Sequence, residues 1–331
     1  MTTFLFNTDD ALLSQNSGMP LLEDQTSAGE SEWFQEEEAV GLPWWGTLGK
    51  HLLQLGKMPN HIAFVMDGNR RYARKNNLGS VVKGHSRGFE QMTKVLEWCR
   101  ELGVREVTVY AFSIENFKRS EEEVTGLMQL AEKKFEKLLA DKEKLQEKQI
   151  CFRFFGDMKL LPRKIQKLVS EIESLTKDYT QGFVNVCIAY TSQNEISRAM
   201  EWIRRGTQMG LVQTDDITES LISRCLDTRN SSEVDMLIRT SGERRLSDFL
   251  LWQCSNCYIH FEDVLWPDLN FWHLFKAILH YQQSRGFIEK LASIPTCDTS
   301  DAVNPARIDK FLSWMEEERL KEVECRINQE L

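Results

Sequence analysis

The chain has 331 residues, 41% of them apolar and 27% charged, with a formal net charge of −9. The length is ample for a buried core. Nine of the 50 acids fall in residues 1–40, which carry no Lys or Arg, so the remainder is balanced at 41 acids and 41 bases. A neutral body gives no support to nucleic-acid binding, and any anion site must arise from local arrangement.

No basic stretch followed by an apolar one opens the sequence, so no secretory signal is expected. No segment reaches the length of a membrane span. Eight cysteines scattered along the chain read as reduced thiols rather than a disulfide framework. Residues 1–40 are polar, acidic and aperiodic, which predicts a disordered tail. Residues 41–57 follow as an amphipathic helix. Trp44, Trp45, Leu48, Leu52, Leu53 and Leu55 form an apolar face beside Lys50, His51 and Lys57. Such a helix either packs on a core or rests on a membrane surface, and the residues favour neither.

From residue 58 to 286 the pattern is that of one domain. Apolar, β-branched or aromatic runs at 61–66, 106–112, 150–156, 183–190, 235–239 and 257–261 read as strands. Helical patterns separate them. One, within 84–103, aligns Phe89, Met92, Val95, Leu96 and Cys99 and stops at Gly103; another opens on Ser120 and Glu123 as a capping box and runs through residue 148. Further helices are expected over 162–178, 193–209, 215–226 and 267–284. This alternation predicts an α/β fold with a mostly parallel sheet and helices on both faces, with ligands at the carboxyl ends of the strands. Residues 287–331 read as a linker and a last helix, in which Ile308, Phe311, Leu312 and Met315 share one face.

Three polar clusters follow strands. Asp67, Gly68, Asn69, Arg70 and Arg71 follow the first. Ser113, Glu115, Asn116 and Arg119 follow the second. Arg239 closes the fifth, before Thr240, Ser241, Gly242, Arg244, Arg245 and Ser247. Glycine lets backbone amides approach a phosphate, arginine forks match its oxygens, and one carboxylate holds Mg²⁺ while the phosphates complete the shell. Four arginines at strand ends and one prominent acid point to more than one phosphate group. Any single arginine could instead pair with a surface acid such as Glu115 or Glu243.

Other signals fail. Neither a P-loop nor a GxGxxG is present. Cys254 and Cys257 form a CxxC, with His260 as a conceivable third zinc ligand, but no second pair exists and the stretch reads as a helix end running into a strand. Asp215–Glu219 faintly resembles an aspartate-rich diphosphate motif; helix capping by Thr214 or Asp215 is the simpler reading.

The motifs MDGNRRYA, GHSRGFE, YAFSIENFKRS and IRTSGERRLSDFLLWQ, followed by VLWP, together resemble the signature regions of the cis-prenyltransferases, the undecaprenyl diphosphate synthase family, and within it the eukaryotic branch. The resemblance spans residues 58–285. It implies a twisted, mostly parallel six-stranded sheet with a hydrophobic tunnel, elongating farnesyl diphosphate with isopentenyl diphosphate in cis to a long polyprenyl diphosphate for dolichol and protein glycosylation. By motif position, Asp67 would bind Mg²⁺, and Gly68, Asn69, Arg70 and Arg71, with Tyr72 and His85, would cradle the allylic diphosphate. Asn116 would assist proton removal; Ser113, Glu115 and Phe117 would line the site; Arg119, Arg239, Arg245 and Ser247 would grip isopentenyl diphosphate. Two departures stand out. Val81 replaces an arginine of the bacterial enzymes, with Lys83 as a partial substitute, and Tyr258 replaces a metal-binding glutamate. Both point to the heteromeric branch, which an accessory subunit of the Nogo-B receptor type completes on the cytosolic face of the endoplasmic reticulum membrane. A non-catalytic subunit of such a complex and a diphosphate hydrolase remain as alternatives.

Overall fold

The computed structural model describes Trp33 and residues 44–292 and 304–328. Apart from Trp33, the expected disordered tail lies outside the described residues, as do the side chains of Trp44 and Trp45. Six strands, β1 (His61–Val65), β2 (Glu106–Ser113), β3 (Ile150–Phe155), β4 (Gly182–Tyr190), β5 (Met236–Arg239) and β6 (Tyr258–Phe261), form one sheet in the order β3-β4-β2-β1-β5-β6. Every pairing is parallel. All five residues of β1 are buried, which is why its sequence is a continuous apolar run rather than an alternating one. Ile62 and Phe64 belong to the larger core, on one face of the sheet, and Ala63 and Val65 to another cluster, on the opposite face.

The helices are α1 (Trp44–Gln54), α2 (Asn69–Lys75), α3 (Val81–Leu102), α4 (Glu121–Ala140), α5 (Lys142–Lys148), α6 (Arg163–Thr176), α7 (Ser192–Gln208), α8 (Glu219–Cys225), α9 (Phe271–Ala292) and α10 (Pro305–Asn328). Helix α3 is capped by Ser80 and stops at Gly103, whose φ of 83° is left-handed. The helix expected to run unbroken through residue 148 breaks at Asp141. Its capping box is half made: Ser120 accepts the Glu123 amide, but the Glu123 carboxylate turns to Arg119.

Helix α1 packs on the core along one side. Leu53 is buried and Gly49 faces the Phe271 and Phe275 rings of α9, while Leu48, Leu52 and Leu55 are exposed. Helix α9 continues to Ala292, past the boundary at 286 read from the sequence. The face of α10 carrying Ile308, Phe311, Leu312 and Met315 is buried against Trp202, Ile203 and Leu221 of α7 and α8.

Asp216 ties this helix down. It is wholly buried, accepts Arg307 Nη2 at 2.8 Å and the Asn304 amide at 3.1 Å, and is held at a pKa of about 2, chiefly by Arg307. The capping reading is thereby corrected: Thr218 caps α8, and Asp216 anchors the chain's last helix. On the open edge of β3, the amides of Phe152, Phe154 and Gly156 donate to Thr176, Glu173 and Asp227. Side chains thus close an edge that would otherwise recruit another strand.

Candidate active site

The chain leaves β1 toward β2 on one side and β5 toward β6 on the other. Adjacent strands with diverging connections open a crevice at their carboxyl ends. Val65 pairs with Arg239, so the loops after β1 and β5 flank that crevice.

Asp67 is fixed from several directions. Its amide donates to Thr240 Oγ1 (3.1 Å), and its carbonyl accepts from Thr240 Oγ1 (2.9 Å), Ser241 Oγ (2.7 Å) and the Trp266 amide (3.0 Å). Gly68 follows with a φ of 107°, and a Cβ there would lie 2.2 Å from Ser241 Oγ. Glycine is needed on both counts. The Asp67 carboxylate accepts the Gly68 amide (2.7 Å) and Arg239 Nη2 (3.0 Å), with Arg71 at 3.9 Å. Arg239 is only 3% exposed in its side chain. Its other nitrogen reaches Ser247 Oγ (2.7 Å) and the Arg245 carbonyl, and its Nε has no partner.

Glu243 pairs with both Arg71 (3.5 Å) and Arg245, so these two arginines share one surface acid. Ion pairs this exposed are weak, and a diphosphate offers more charge and better geometry to both. Arg70 is exposed, with no ion pair among the described residues. Arg119 holds Glu123 (2.7 Å) and Asn116 Oδ1 (2.9 Å). Glu115 turns outward to Lys118 and is 61% exposed. It points away from the Asp67–Arg239 pair, whereas Arg70, Arg71 and Arg245, also exposed, stand on the loops that flank the crevice.

Strand β2 reaches the site through paired irregularities. Its register with β4 shifts at Tyr110/Phe112 and again at Phe112/Ser113, and Ala189 on β4 takes a φ of 47°. Bulges re-aim side chains near functional sites. Here they end β2 at Ser113, which caps the short helical turn carrying Asn116 and Phe117. Phe117 packs edge-on to Phe112.

Helix α2 sits tightly on α3 because Gly84 and Gly88 lack side chains. A Cβ at Gly84 would lie 2.4 Å from the Asn69 carbonyl, and one at Gly88 2.2 Å from Asn69 Oδ1. His85 is thereby brought beside Asn69 (3.4 Å). Buried His85 Nε2 and Asn69 Oδ1 have no partner. Burial, aided by Arg119 and Arg70, lowers the His85 pKa to about 4. A histidine charged below 6.5 when unfolded, but only below about 4 when folded, costs stability as pH falls through that window and nothing above it. The loss over the whole window is on the order of 3 kcal/mol. Urea midpoints at pH 6.5 and 4.5 should therefore diverge less for His85→Gln than for the parent chain.

Beyond His85 lies an apolar cavity of about 120 Å³, lined by Met66, Phe89, Phe112, Met128, Phe135 and Trp33 among others. Trp33 is 6% exposed, donates from Nε1 to the Lys134 carbonyl at 2.6 Å and meets the Phe89 and Phe152 rings edge-on. It also lines a second cavity of about 400 Å³ beside Leu96, Val107 and Phe152, and so stands between the two. Nothing in the acidic composition of residues 1–40 announced this. The only signal was a lone tryptophan among acids.

Tyr258 opens β6 and pairs with Met236, the first residue of β5. It therefore lies at the opposite end of the strands from Asp67. The sequence reading placed it where a second metal-binding acid of this site would stand; the register takes it out of this chain's own cluster. Cys254 and Cys257 are free, in a turn rather than a helix end, and no group of three His, Cys, Asp or Glu poised to hold a metal occurs among the described residues. The Asp67 carboxylate, 35% exposed and with one hydrogen bond to each oxygen, fits Mg²⁺ in the manner of a single protein ligand completed by phosphates and water. Thr240 and Ser241, for which the sequence suggests no separate part, lock the Asp67 backbone. Glu123, which orients Arg119, was read only as a cap.

An arginine-rich crevice at a switch point, opening beside an apolar cavity, defines a protein built for an anion joined to a hydrocarbon. The profile of the family described as "Putative undecaprenyl diphosphate synthase" matches residues 65–287. The chain is 50% identical over 258 residues to the dehydrodolichyl diphosphate synthase complex subunit of Homo sapiens, covering 78% of this chain and 76% of that one. The counterpart from Mus musculus is 47% identical over the same shares. The crystal structure of lavandulyl diphosphate synthase from Lavandula x intermedia, in complex with dimethylallyl diphosphate, superposes with a TM-score of 0.64 at 31% identity, covering 68% of this chain and 95% of that one. The chain belongs to the undecaprenyl diphosphate synthase family of cis-prenyltransferases.

Proposed function

We propose that this chain is the catalytic subunit of a dehydrodolichyl diphosphate synthase complex, elongating farnesyl diphosphate with isopentenyl diphosphate. The observation that carries this reading is the apolar cavity lined by Met66, Asn69 and His85, Met66 being next in the chain to Asp67 of the Asp67–Arg239 pair. A prenyl diphosphate has the same two-part chemistry.

In this reading the Gly68 amide region, Asn69, Arg70, Arg71, Tyr72 and His85 hold the allylic diphosphate at the cavity mouth. Arg119, Arg239, Arg245 and Ser247 hold the condensing one, with Ser113 and Phe117 beside it. Arginine donors stabilise charge that grows on the leaving oxygens. Mg²⁺, when bound at Asp67, supplies further neutralisation of that charge. The apolar wall of Met66, Phe89, Phe112 and Trp266 keeps water from the developing cation. Asn116 spends its carbonyl oxygen on Arg119, so its amide group donates. The proton removed from the condensing unit then passes to the departing diphosphate, which is basic and adjacent.

An accessory subunit of the Nogo-B receptor type completes the complex; the relatives named as complex subunits support it. Peripheral attachment to the cytosolic face of the endoplasmic reticulum membrane is supported by the exposed Leu48 and Leu52 of α1 and Leu55 just beyond it. No helix among the described residues is long and apolar enough to cross a membrane. The test is incorporation of labelled isopentenyl diphosphate by purified chain with farnesyl diphosphate and Mg²⁺, with and without the accessory subunit. Polyprenyl product in the presence of the subunit supports the reading; no product in either arm overturns it.

Trp33 bears on product length. Trp33→Ala joins the two cavities it separates, and the product distribution read by mass spectrometry should move to longer chains. An unchanged distribution would show that the chain grows along another path.

A further inference from the structure

The second and third polar clusters come from loops distant in sequence, yet they meet at one hydroxyl that neither cluster contains. Tyr110 Oη donates to the Tyr190 carbonyl at 3.0 Å and approaches the Ser247 carbonyl at 3.4 Å. Burial holds the phenol above its ordinary range, with the Ser113 side chain pulling the other way. It therefore remains a donor at any working pH. Its ring stacks on Phe249 at 4.4 Å between centroids and 12° between planes, and Tyr190 meets both rings edge-on.

The loop it touches needs holding. Ser247, Asp248 and Leu250 are non-glycine residues with φ of 52°, 56° and 46°. Left-handed backbone of this kind costs about 1–3 kcal/mol per residue and persists only where surroundings over-determine it. The surroundings here are specific. The Ser192 amide donates to the Asp248 carbonyl (2.8 Å), the Gln193 amide donates to the Asp248 carboxylate (3.1 Å), and Phe249 is buried beneath Tyr110. The Ser247 hydroxyl, carried on this loop, is the acceptor for Arg239, and Arg239 is in turn the partner of Asp67.

We infer that Tyr110 is a positioning residue for the condensing substrate, its hydroxyl and ring together holding the strained Ser247–Leu250 loop in the geometry that aims Ser247 and Arg239 at the diphosphate. The bulge just beyond Tyr110 serves the same end, because it lets one strand present Tyr110 to this loop and Ser113 to the other cluster. This inference rests on the reading of Arg239, Arg245 and Ser247 as the isopentenyl diphosphate grip.

The test is Tyr110→Phe in the assembled complex, which keeps the ring stack and removes only the hydroxyl. The KM for isopentenyl diphosphate should rise about tenfold while the KM for farnesyl diphosphate stays within twofold. Tyr110→Leu, which also removes the stack, should raise the isopentenyl diphosphate KM further. A purely structural role would lower the unfolding midpoint and leave the two KM values in their original ratio; that outcome, or an unchanged KM in Tyr110→Phe, overturns the inference. Parent complex that incorporates no isopentenyl diphosphate would instead mean failure of the proposed function itself.

Discussion

Replacing Asp67 with alanine should reduce elongation by at least about 10³-fold, at the upper end of what removal of one preorganised electrostatic group costs. The same substitution should also destabilise the fold, for a separate reason. Arg239 is 3% exposed and the Asp67 carboxylate is its one ion-pair partner among the described residues. Removing that carboxylate leaves a buried guanidinium uncompensated, which costs about 3–5 kcal/mol. The two effects separate in the double variant Asp67→Ala/Arg239→Met. With both charges gone, much of the lost stability should return, while turnover should stay at the level of the single variant or below. Urea unfolding and label incorporation on the same preparations check this. Activity that recovers along with stability would show that Asp67 serves the fold and not the reaction.

Trp266→Ala should cost as much stability as the loss of Asp67, about 3–5 kcal/mol for a fully buried tryptophan. The indole is 0% exposed, lies against Phe64 of β1 and donates from Nε1 to the Gly88 carbonyl at 2.7 Å. Its own amide holds the Asp67 carbonyl. The residue thus joins the central strand, the α2–α3 contact and the acid in one place. Trp266→Phe should recover much of the burial but not the hydrogen bond, leaving a deficit of about 1 kcal/mol or more. Equal midpoints for the parent and Trp266→Ala would contradict this account of the core.

Much of the fold was legible because a parallel sheet buried on both faces leaves unbroken apolar runs. The strand read at 61–66 ends at Val65, its last paired residue, on the carboxyl edge of the sheet where the loop after β5 also begins. The three clusters could be placed on one edge from the β-α alternation alone. What could not be read were the contacts between them. Tyr110 and Ser247 are 137 positions apart, and Asp67 and Arg239 are 172 apart. No local pattern encodes such pairings. The sharing of Glu243 by Arg71 and Arg245, the break of the long helix at Asp141 and the tie from Asp216 to Arg307 are of the same kind. Tyr258 misled because motif alignment gives a position in a strand but not which end of the sheet that strand presents. Trp33 was invisible because composition averages over a segment, and one side chain in forty residues does not alter the average.

The central claim is that the crevice between β1 and β5 joins prenyl units and does not merely cleave diphosphates. The most direct measurement is the ratio of isopentenyl units incorporated to inorganic diphosphate released by the complex, with farnesyl diphosphate and Mg²⁺ present. Each condensation breaks one allylic carbon–oxygen bond, forms one carbon–carbon bond and frees one diphosphate. The account therefore predicts a ratio of one, with no release when isopentenyl diphosphate is omitted. Diphosphate or phosphate released from farnesyl diphosphate alone, at the rate seen with both substrates, would contradict it.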